Sequence, residues 1–315
     1  MSNVAAIDSK AIDPQASLAQ PTSTQPAGRA PLMAGLACYF MWGLLPILFL
    51  WASSLGARAF EIVAWRTIWS VPCAALLVLA TGQAKSLVRL PRATVLALLV
   101  SALLIGINWS TYVWAVSNGK TISASLGYYL SPLLNMAAGA WLFHERIGRA
   151  GKVAIALAIV GVVLQGVALG EFPWVSLVLA LSFGGYGVIR KKTAVQAQTG
   201  LLVECLVLVV PAAAYAIWLT HSGHGVFGAT PAATTALMLG GPATVIPLAL
   251  FAFAARRLPM TSIGFLQFIT PTLQFFVGIE AGESLTPLRA VSFGFIWLGV
   301  LVFAAKALLG RRRAA

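Results

Sequence analysis

The sequence predicts an all-α polytopic membrane protein: ten transmembrane helices arranged as two inverted five-helix repeats. Three observations carry that prediction, namely composition, the distribution of positive charge, and a repeat between the two halves of the chain. Of 315 residues, 59% are hydrophobic and only 9% charged, with a mean hydropathy of +0.89. A soluble domain carries roughly 25% charged residues, so most of this chain is composed for a bilayer.

A span needs roughly 20 apolar residues. Charged, Gly and Pro clusters divide the chain into ten such runs, near 31–52, 59–81, 94–116, 121–143, 150–169, 173–190, 199–219, 233–255, 260–281 and 289–309. Residues 1–30, rich in Ala, Ser, Pro, Gln and Thr, lack the apolar core of a signal peptide and are expected to form a disordered cytoplasmic tail. The first five runs make one repeat, 31–170, and the last five another, 171–309; residues 310–315 form a basic cytoplasmic tail.

The net charge of +13 raises the possibility of nucleic-acid binding, but its distribution points elsewhere. With a cytoplasmic N-terminus, seventeen Lys and Arg fall on the inner side, among them Arg146, Arg149, Lys152, Arg190, Lys191 and Lys192. Arg58, Lys120 and Arg289 are the three on the outer side, and Arg66 lies within a span. This positive-inside bias places both termini in the cytoplasm and requires an even number of spans. The charge reports topology, and no nucleic-acid partner is implied.

"GYYLSPLLNMAAG" (127–139) and "QFITPTLQFFVG" (267–278) carry the repeat. Tyr128, Pro132, Asn135 and Gly139 recur as Gln267, Pro271, Gln274 and Gly278 at a constant offset of 139 residues. Spacings of four, three and four put each quartet on one helix face. Each proline removes a backbone donor, leaving the carbonyls of Tyr128 and Gln267 without their helical partners. Weaker echoes link Trp42-Gly43 to Tyr186-Gly187 and Glu61 to Glu204, at offsets of 144 and 143. Because each half holds an odd number of spans, the second enters the membrane from the opposite side. Inverted repeats with interrupted helices recur in secondary transporters, whose solute sites lie near the midplane.

The motifs "NWSTYVWAVSNGKTISASLGYYLSPLLN" (108–135), "ARRLPMTSIGFLQFITPTLQF" (255–275), "AWRTIWS" (64–70) and "SFGGYGVIRK" (182–191) resemble the RarD proteins of the EamA branch of the drug/metabolite transporter superfamily. The resemblance runs from about residue 32 to 308. It implies a ten-helix permease of the bacterial inner membrane, five plus five and inverted, linked with chloramphenicol sensitivity or resistance and without a firmly assigned substrate.

Ionisable groups inside a span are functional candidates by default. Arg66 stands five residues after Glu61, about 140° around a helix, so the two share no face. Arg66 therefore needs a partner on another helix, a backbone carbonyl or an anionic solute; a structural ion pair is the alternative. Glu61 and Glu204, near opposite span ends, are either water-exposed or a pair of gates or protonatable coupling groups. Asn135, Gln267 and Gln274, with the carbonyls freed by Pro132 and Pro271, either bind solute or bond across packed helices. Trp42, Asn108, Trp109, Tyr112 and Tyr128 lie deep enough to line a pocket, or to pack a core. Trp51, Trp174 and Trp218 sit at span ends as interface anchors.

Other chemistry finds no constellation. Cys38, Cys73 and Cys205 are odd in number and intramembrane, His144, His221 and His224 form no ligand cluster, and "GGYGVIRKKT" lacks the glycine before lysine of a phosphate loop. No catalytic residue, metal or cofactor is predicted. The function expected is movement of a small organic solute, drug or metabolite, by alternating access, with proton coupling open. The alternatives are a membrane-embedded lipid-modifying enzyme, which needs a clustered nucleophile or metal set, and a sensor or scaffold, which needs larger loops. Oligomeric state is not encoded in any feature of the sequence.

Overall fold

The computed structural model describes residues 29–87, 90–142, 148–170, 172–255, 257–258 and 266–312. The predicted N-terminal tail up to residue 28, His144 and the last three residues lie outside that set. Among the described residues there are helices and turns and no strand. In chain order the helices are α1 (Arg29–Ser54), α2 (Ala59–Ala80), α3 (Ala84–Leu87), α4 (Arg92–Ser117), α5 (Thr121–Leu142) and α6 (Arg149–Leu169). They continue as α7 (Trp174–Lys192), α8 (Ala197–His221), α9 (Pro231–Leu239), α10 (Pro242–Ala255), α11 (Ile269–Glu280) and α12 (Pro287–Arg312).

Among the described residues, six helical segments are long and apolar enough to cross a membrane: α1, α2, α4, α6, α8 and the α9–α10 pair. Shorter apolar stretches lie in α7 and α12. The surface agrees with a lipid solvent. Leu76, Leu79, Leu96, Leu103, Val167 and Val210 are each more than 60% exposed, whereas Glu61, Arg66, Asn108, Glu204 and Gln274 are buried. A water-soluble fold distributes these residue types the other way round.

Small residues set the helix contacts. Gly161 of α6 lies so close to α12 that a Cβ there would meet Ile296 at 2.6 Å. Ser292 donates to the Gly161 carbonyl at 2.7 Å across the same seam. Gly43 of α1 receives Leu273 of α11, and Gly127 of α5 receives Ser176 and Leu179 of α7. Close approach at glycine is how helices gain dispersion energy where lipid supplies no hydrophobic drive. The most extensive contacts are α6 with α12, α2 with α8, α5 with α7 and with α11, α1 with α10 and with α11, and α4 with α7.

Three expected features are placed differently. The run at 233–255 is not one helix: Gly240 and Gly241 form a turn, and Pro242 starts α10. The turn exists because α2 leaves no room for side chains there: a Cβ on Gly240 would come within 3.0 Å of Arg66 Cβ, and one on Gly241 would overlap the Trp69 carbonyl. Within the run at 260–281, a turn at Phe268 separates helical residues 266–267 from α11, which opens at Ile269; residues 259–265 lie outside the described residues. Pro271 cannot donate to the Gln267 carbonyl, and the ladder is interrupted there. By contrast α5 passes Pro132 without a break.

Candidate functional site

The α9–α10 turn builds one wall of the site. Freed from a continuous helix, Thr244 in the first turn of α10 donates its hydroxyl to the Gly240 carbonyl at 2.8 Å. Its oxygen accepts from Arg66 Nε of α2 at 2.7 Å. The guanidinium also lies over the Trp109 ring of α4, 4.5 Å from the centroid, and 5.5 Å from the Phe49 ring of α1. Arg66 is 4% exposed, pairs with no carboxylate among the described residues, and its Nη1 has no hydrogen-bond partner. A desolvated cation over an aromatic face is worth about 2 kcal/mol or more, which compensates burial in part but leaves the charge unneutralised.

Around this cation sits an aromatic enclosure. Phe49 and Tyr112 meet edge to face at 5.8 Å, Tyr112 and Tyr128 at 5.4 Å, and Tyr128 and Phe183 at 5.9 Å. Tyr128 donates to Asn108 Oδ1 at 3.0 Å, while Asn108 Nδ2 donates to the Leu179 carbonyl and to Ser182 Oγ, each at 3.1 Å. Asn108 is thus fully engaged and orients Tyr128 by tying α4, α5 and α7 together. Opposite it, Gln274 of α11 donates Nε2 to the Tyr112 hydroxyl at 2.8 Å and to the Trp42 carbonyl at 3.3 Å. Gln274 is 2% exposed, and its Oε1 is buried with no partner.

The structure therefore gathers Arg66, Asn108, Trp109, Tyr112, Tyr128 and Gln274 at the junction of α1, α2, α4, α5, α10 and α11. Trp42 contributes its carbonyl, while its ring packs with Tyr39 and Phe251. Pro271 is buried and Gln267 half-buried ahead of the cluster. Pro132 and Asn135 belong to α5, but their side chains fall outside the described residues. Gly278 packs against Ile122 of α5, where a Cβ would stand 2.8 Å from Cγ1; that member of the quartet serves close packing.

The two intramembrane glutamates are both fully buried, so the water-exposed alternative for them does not hold. Glu61 Oε1 accepts the backbone N–H groups of Val226 and Phe227, at 2.8 and 3.2 Å, and so pins the α8–α9 loop. Its Oε2 is unpartnered. Glu204 accepts from Ser101 of α4 at 2.6 Å and from Tyr186 of α7 at 3.4 Å, and lies 3.7 Å from Arg190 Nη1. Trp51, Trp174 and Trp218 are exposed at helix ends, as anchors require. Cys38 and Cys205 are buried packing groups, and no metal-binding cluster occurs among the described residues.

Sequence reading did not single out Thr244, Phe49, Ser101, Arg190 or Glu283. The Gly240-Gly241-Pro242 break was the available signal for Thr244; Arg190 was absorbed into the topology count. Glu283, in the α11–α12 loop, accepts the backbone N–H groups of Thr121 and Ile122, the latter at 3.0 Å. It caps the N-terminus of α5, where two orphan donors and the helix dipole favour an anion.

The cluster is a buried, uncompensated cation in an aromatic enclosure within a helical bundle, and comparison with known proteins gives the class of the chain as a membrane transporter. Residues 29–166 match the model of the EamA-like transporter family. An uncharacterized transporter of Pseudomonas aeruginosa is 42% identical over 294 residues, covering 90% of this chain and 96% of the relative. Protein RarD of Streptomyces exfoliatus is 37% identical, covering 90% of this chain and 91% of the relative. A protein crystal structure shares the fold with a TM-score of 0.61 at 21% identity, covering 91% of this chain and 99% of that one. The chain belongs to the EamA-like transporter family, among its RarD proteins.

Proposed function

We propose that this chain is a bacterial inner-membrane permease that moves a small organic solute by alternating access, with ten crossings in two inverted five-helix repeats and both termini cytoplasmic. The observation that carries the reading is Arg66: a buried guanidinium with an unpartnered Nη1, set against the Phe49 and Trp109 rings of the first half of the chain and hydrogen-bonded to Thr244 of the second. A group of this kind inside a bundle is retained against its desolvation cost when it meets a mobile partner.

The repeat is supported by the pattern of packing. Exchanging α1 with α7, α2 with α8, α4 with α9–α10, α5 with α11 and α6 with α12 maps the α5–α7 contact onto α11–α1. It maps α4–α7 onto α10–α1 and α4–α8 onto α10–α2, and returns α2–α8, α5–α11 and α6–α12 to themselves. Pro72 of α2 and Pro211 of α8 stand at the same 139-residue offset as Pro132 and Pro271. The solute site then lies on the pseudo-symmetric seam, the position such repeats give their substrates. Rocking of the halves about Arg66 and Gln274 would expose the site alternately.

Glu204, facing Arg190, Tyr186 and Ser101, and Glu61, facing the α8–α9 loop, are the groups through which protons would couple to that rocking. Flux into proteoliposomes of a metabolite and drug panel that includes chloramphenicol, with and without a pH gradient, tests the reading. A gradient-driven flux lost in Glu204→Gln supports coupling there; unchanged flux and unchanged pH dependence in Glu61→Gln and Glu204→Gln together exclude it.

A further inference from the structure

Two connections of the chain make the same kind of contact in opposite directions. The α8–α9 loop lies on the first turns of α2, where Glu61 Oε1 accepts the Val226 and Phe227 N–H groups at 2.8 and 3.2 Å and the Phe227 ring stacks on Trp65 with centroids 3.5 Å apart. Residues 81–87, which follow α2 and end in α3, lie on the first turn of α8. There Gln83 Nε2 donates to Gln198 Oε1 at 3.2 Å, Thr199 Oγ1 donates to Gln83 Oε1 at 3.1 Å, and the Ser86 and Thr199 hydroxyls bond at 2.9 Å. Exchanging α2 with α8 turns one contact into the other.

Each connection also rests on a wall of the Arg66 cluster. Val226 and Phe227 pack against the buried group of side chains that holds Phe49 and Tyr112, and Leu87 packs against the group that holds Trp109. Glu61 precedes Arg66 by five residues, about 7.5 Å along the helix, so the α8–α9 loop is seated one to two turns from the guanidinium. The two contacts differ in how completely they are satisfied. With the loop seated, Glu61 Oε2 is buried without a partner, and a carboxylate oxygen kept from water is costly. Lifting the loop hydrates that oxygen, which offsets part of the two charge-assisted bonds and leaves the loop detachable. The Gln83 contact uses both ends of its amide and leaves no buried, unpartnered atom on Gln83, Ser86, Gln198 or Thr199, but its bonds are neutral and roughly half as strong.

We infer that the α8–α9 loop and residues 81–87 are the outer and inner lids of the Arg66 site, the first latched to α2 by Glu61 and the Trp65–Phe227 stack, the second latched to α8 by Gln83, Ser86, Gln198 and Thr199. The lids depend on the permease reading for their role and for which side each faces, but their opening is measurable without a solute. Ala236 is buried in the group that the outer lid covers, and Cys205 in the group on which Leu87 rests. Ala236→Cys, with the three native cysteines replaced by alanine, reports opening through its rate of modification by membrane-impermeant trimethylammonioethyl methanethiosulfonate applied to spheroplasts. Native Cys205, with Cys38 and Cys73 replaced, reports the inner lid in inverted vesicles. Glu61→Ala should speed modification at position 236 by about tenfold or more, the factor set by one charge-assisted bond. Phe227→Ala, which removes the stack and keeps the carboxylate, should speed it by about 2- to 10-fold. Thr199→Val should do the same for Cys205 from the inner side and leave position 236 no faster.

Bridging Trp65→Cys to Phe227→Cys, or Gln83→Cys to Gln198→Cys, with a flexible bis-methanethiosulfonate should stop proteoliposome flux of the metabolite and drug panel, and reduction of the bridge should restore it. Wild-type modification rates in both Glu61→Ala and Phe227→Ala overturn the outer lid, and a wild-type rate at Cys205 in Thr199→Val overturns the inner one. Equal acceleration on both sides by any one substitution means general loosening and overturns both. If modification follows the lesions and no solute moves through the unbridged protein, the permease reading fails while the lids stand. If solutes move at the wild-type rate with the lids bridged, the lids fail while the permease reading stands.

Discussion

Replacing Arg66 by Met separates a transport role from a structural one. The guanidinium gains about 2 kcal/mol from the Trp109 face and about 1.5 to 3 kcal/mol from the charge-assisted bond to Thr244. Against this, placing Arg at the centre of a membrane helix costs about 2.5 to 3.5 kcal/mol, and a buried methionine contributes about 1.5 to 3 kcal/mol that arginine forgoes. At mid-range the opposing terms, about 4 and about 5 kcal/mol, differ by about 1 kcal/mol, because no carboxylate neutralises the charge. Arg66→Met should therefore change the thermal midpoint of the detergent-purified protein by less than about 5 °C, while flux of the physiological solute is lost. Were Arg66 a structural pin, its removal would destabilise by about 3 to 5 kcal/mol, as for a broken buried ion pair. A large fall in midpoint with Arg66→Met, restored by Arg66→Lys together with full flux, would make Arg66 a structural group and not a solute-binding one.

Other substitutions test the surrounding frame. Thr244→Val keeps the shape but removes the acceptor of Arg66 Nε and the donor to the Gly240 carbonyl, and should cost about 2 to 3 kcal/mol in stability by chemical or thermal unfolding. Gly241→Ala drives a methyl into the Trp69 backbone, which cannot yield as a side-chain end can, and should lower both folded yield and midpoint more than Gly294→Ala, whose site is sterically open. Gly200→Ala intrudes on the flexible end of Arg190 and should reproduce the flux phenotype of Arg190→Ala with little loss of stability, because Arg190 is displaced from Glu204. Asn108→Leu leaves Tyr128 without its acceptor and should cost about 1 to 3 kcal/mol.

The membrane character of the chain was legible because bilayer composition is a bulk property, and helix ends followed from charge, Gly and Pro. The same local signals misjudged continuity, for two physical reasons. Gly240-Gly241 lies in an apolar run, and what breaks the helix is the α2 backbone pressing on it, a contact distant in sequence. Pro132, by contrast, interrupts one hydrogen bond without ending α5. At the site, Arg66, Asn108, Tyr112, Tyr128 and Gln274 stood out as polar or aromatic groups where lipid does not tolerate them singly. Phe49 and Thr244 are ordinary in any apolar helix, and only the packing of α1 and α10 against α2 makes them partners of Arg66. Burial of Glu61 was equally hidden, since its acceptors' partners come from a loop 165 residues away.

The most direct test is flux measured in proteoliposomes reconstituted with the wild-type chain, Arg66→Met and Gln274→Met, using a metabolite and drug panel. Saturable movement of at least one member of the panel is expected for the wild type, none for Arg66→Met, and reduced movement for Gln274→Met. Flux by Arg66→Met equal to that of the wild type would exclude Arg66 as a solute-binding group.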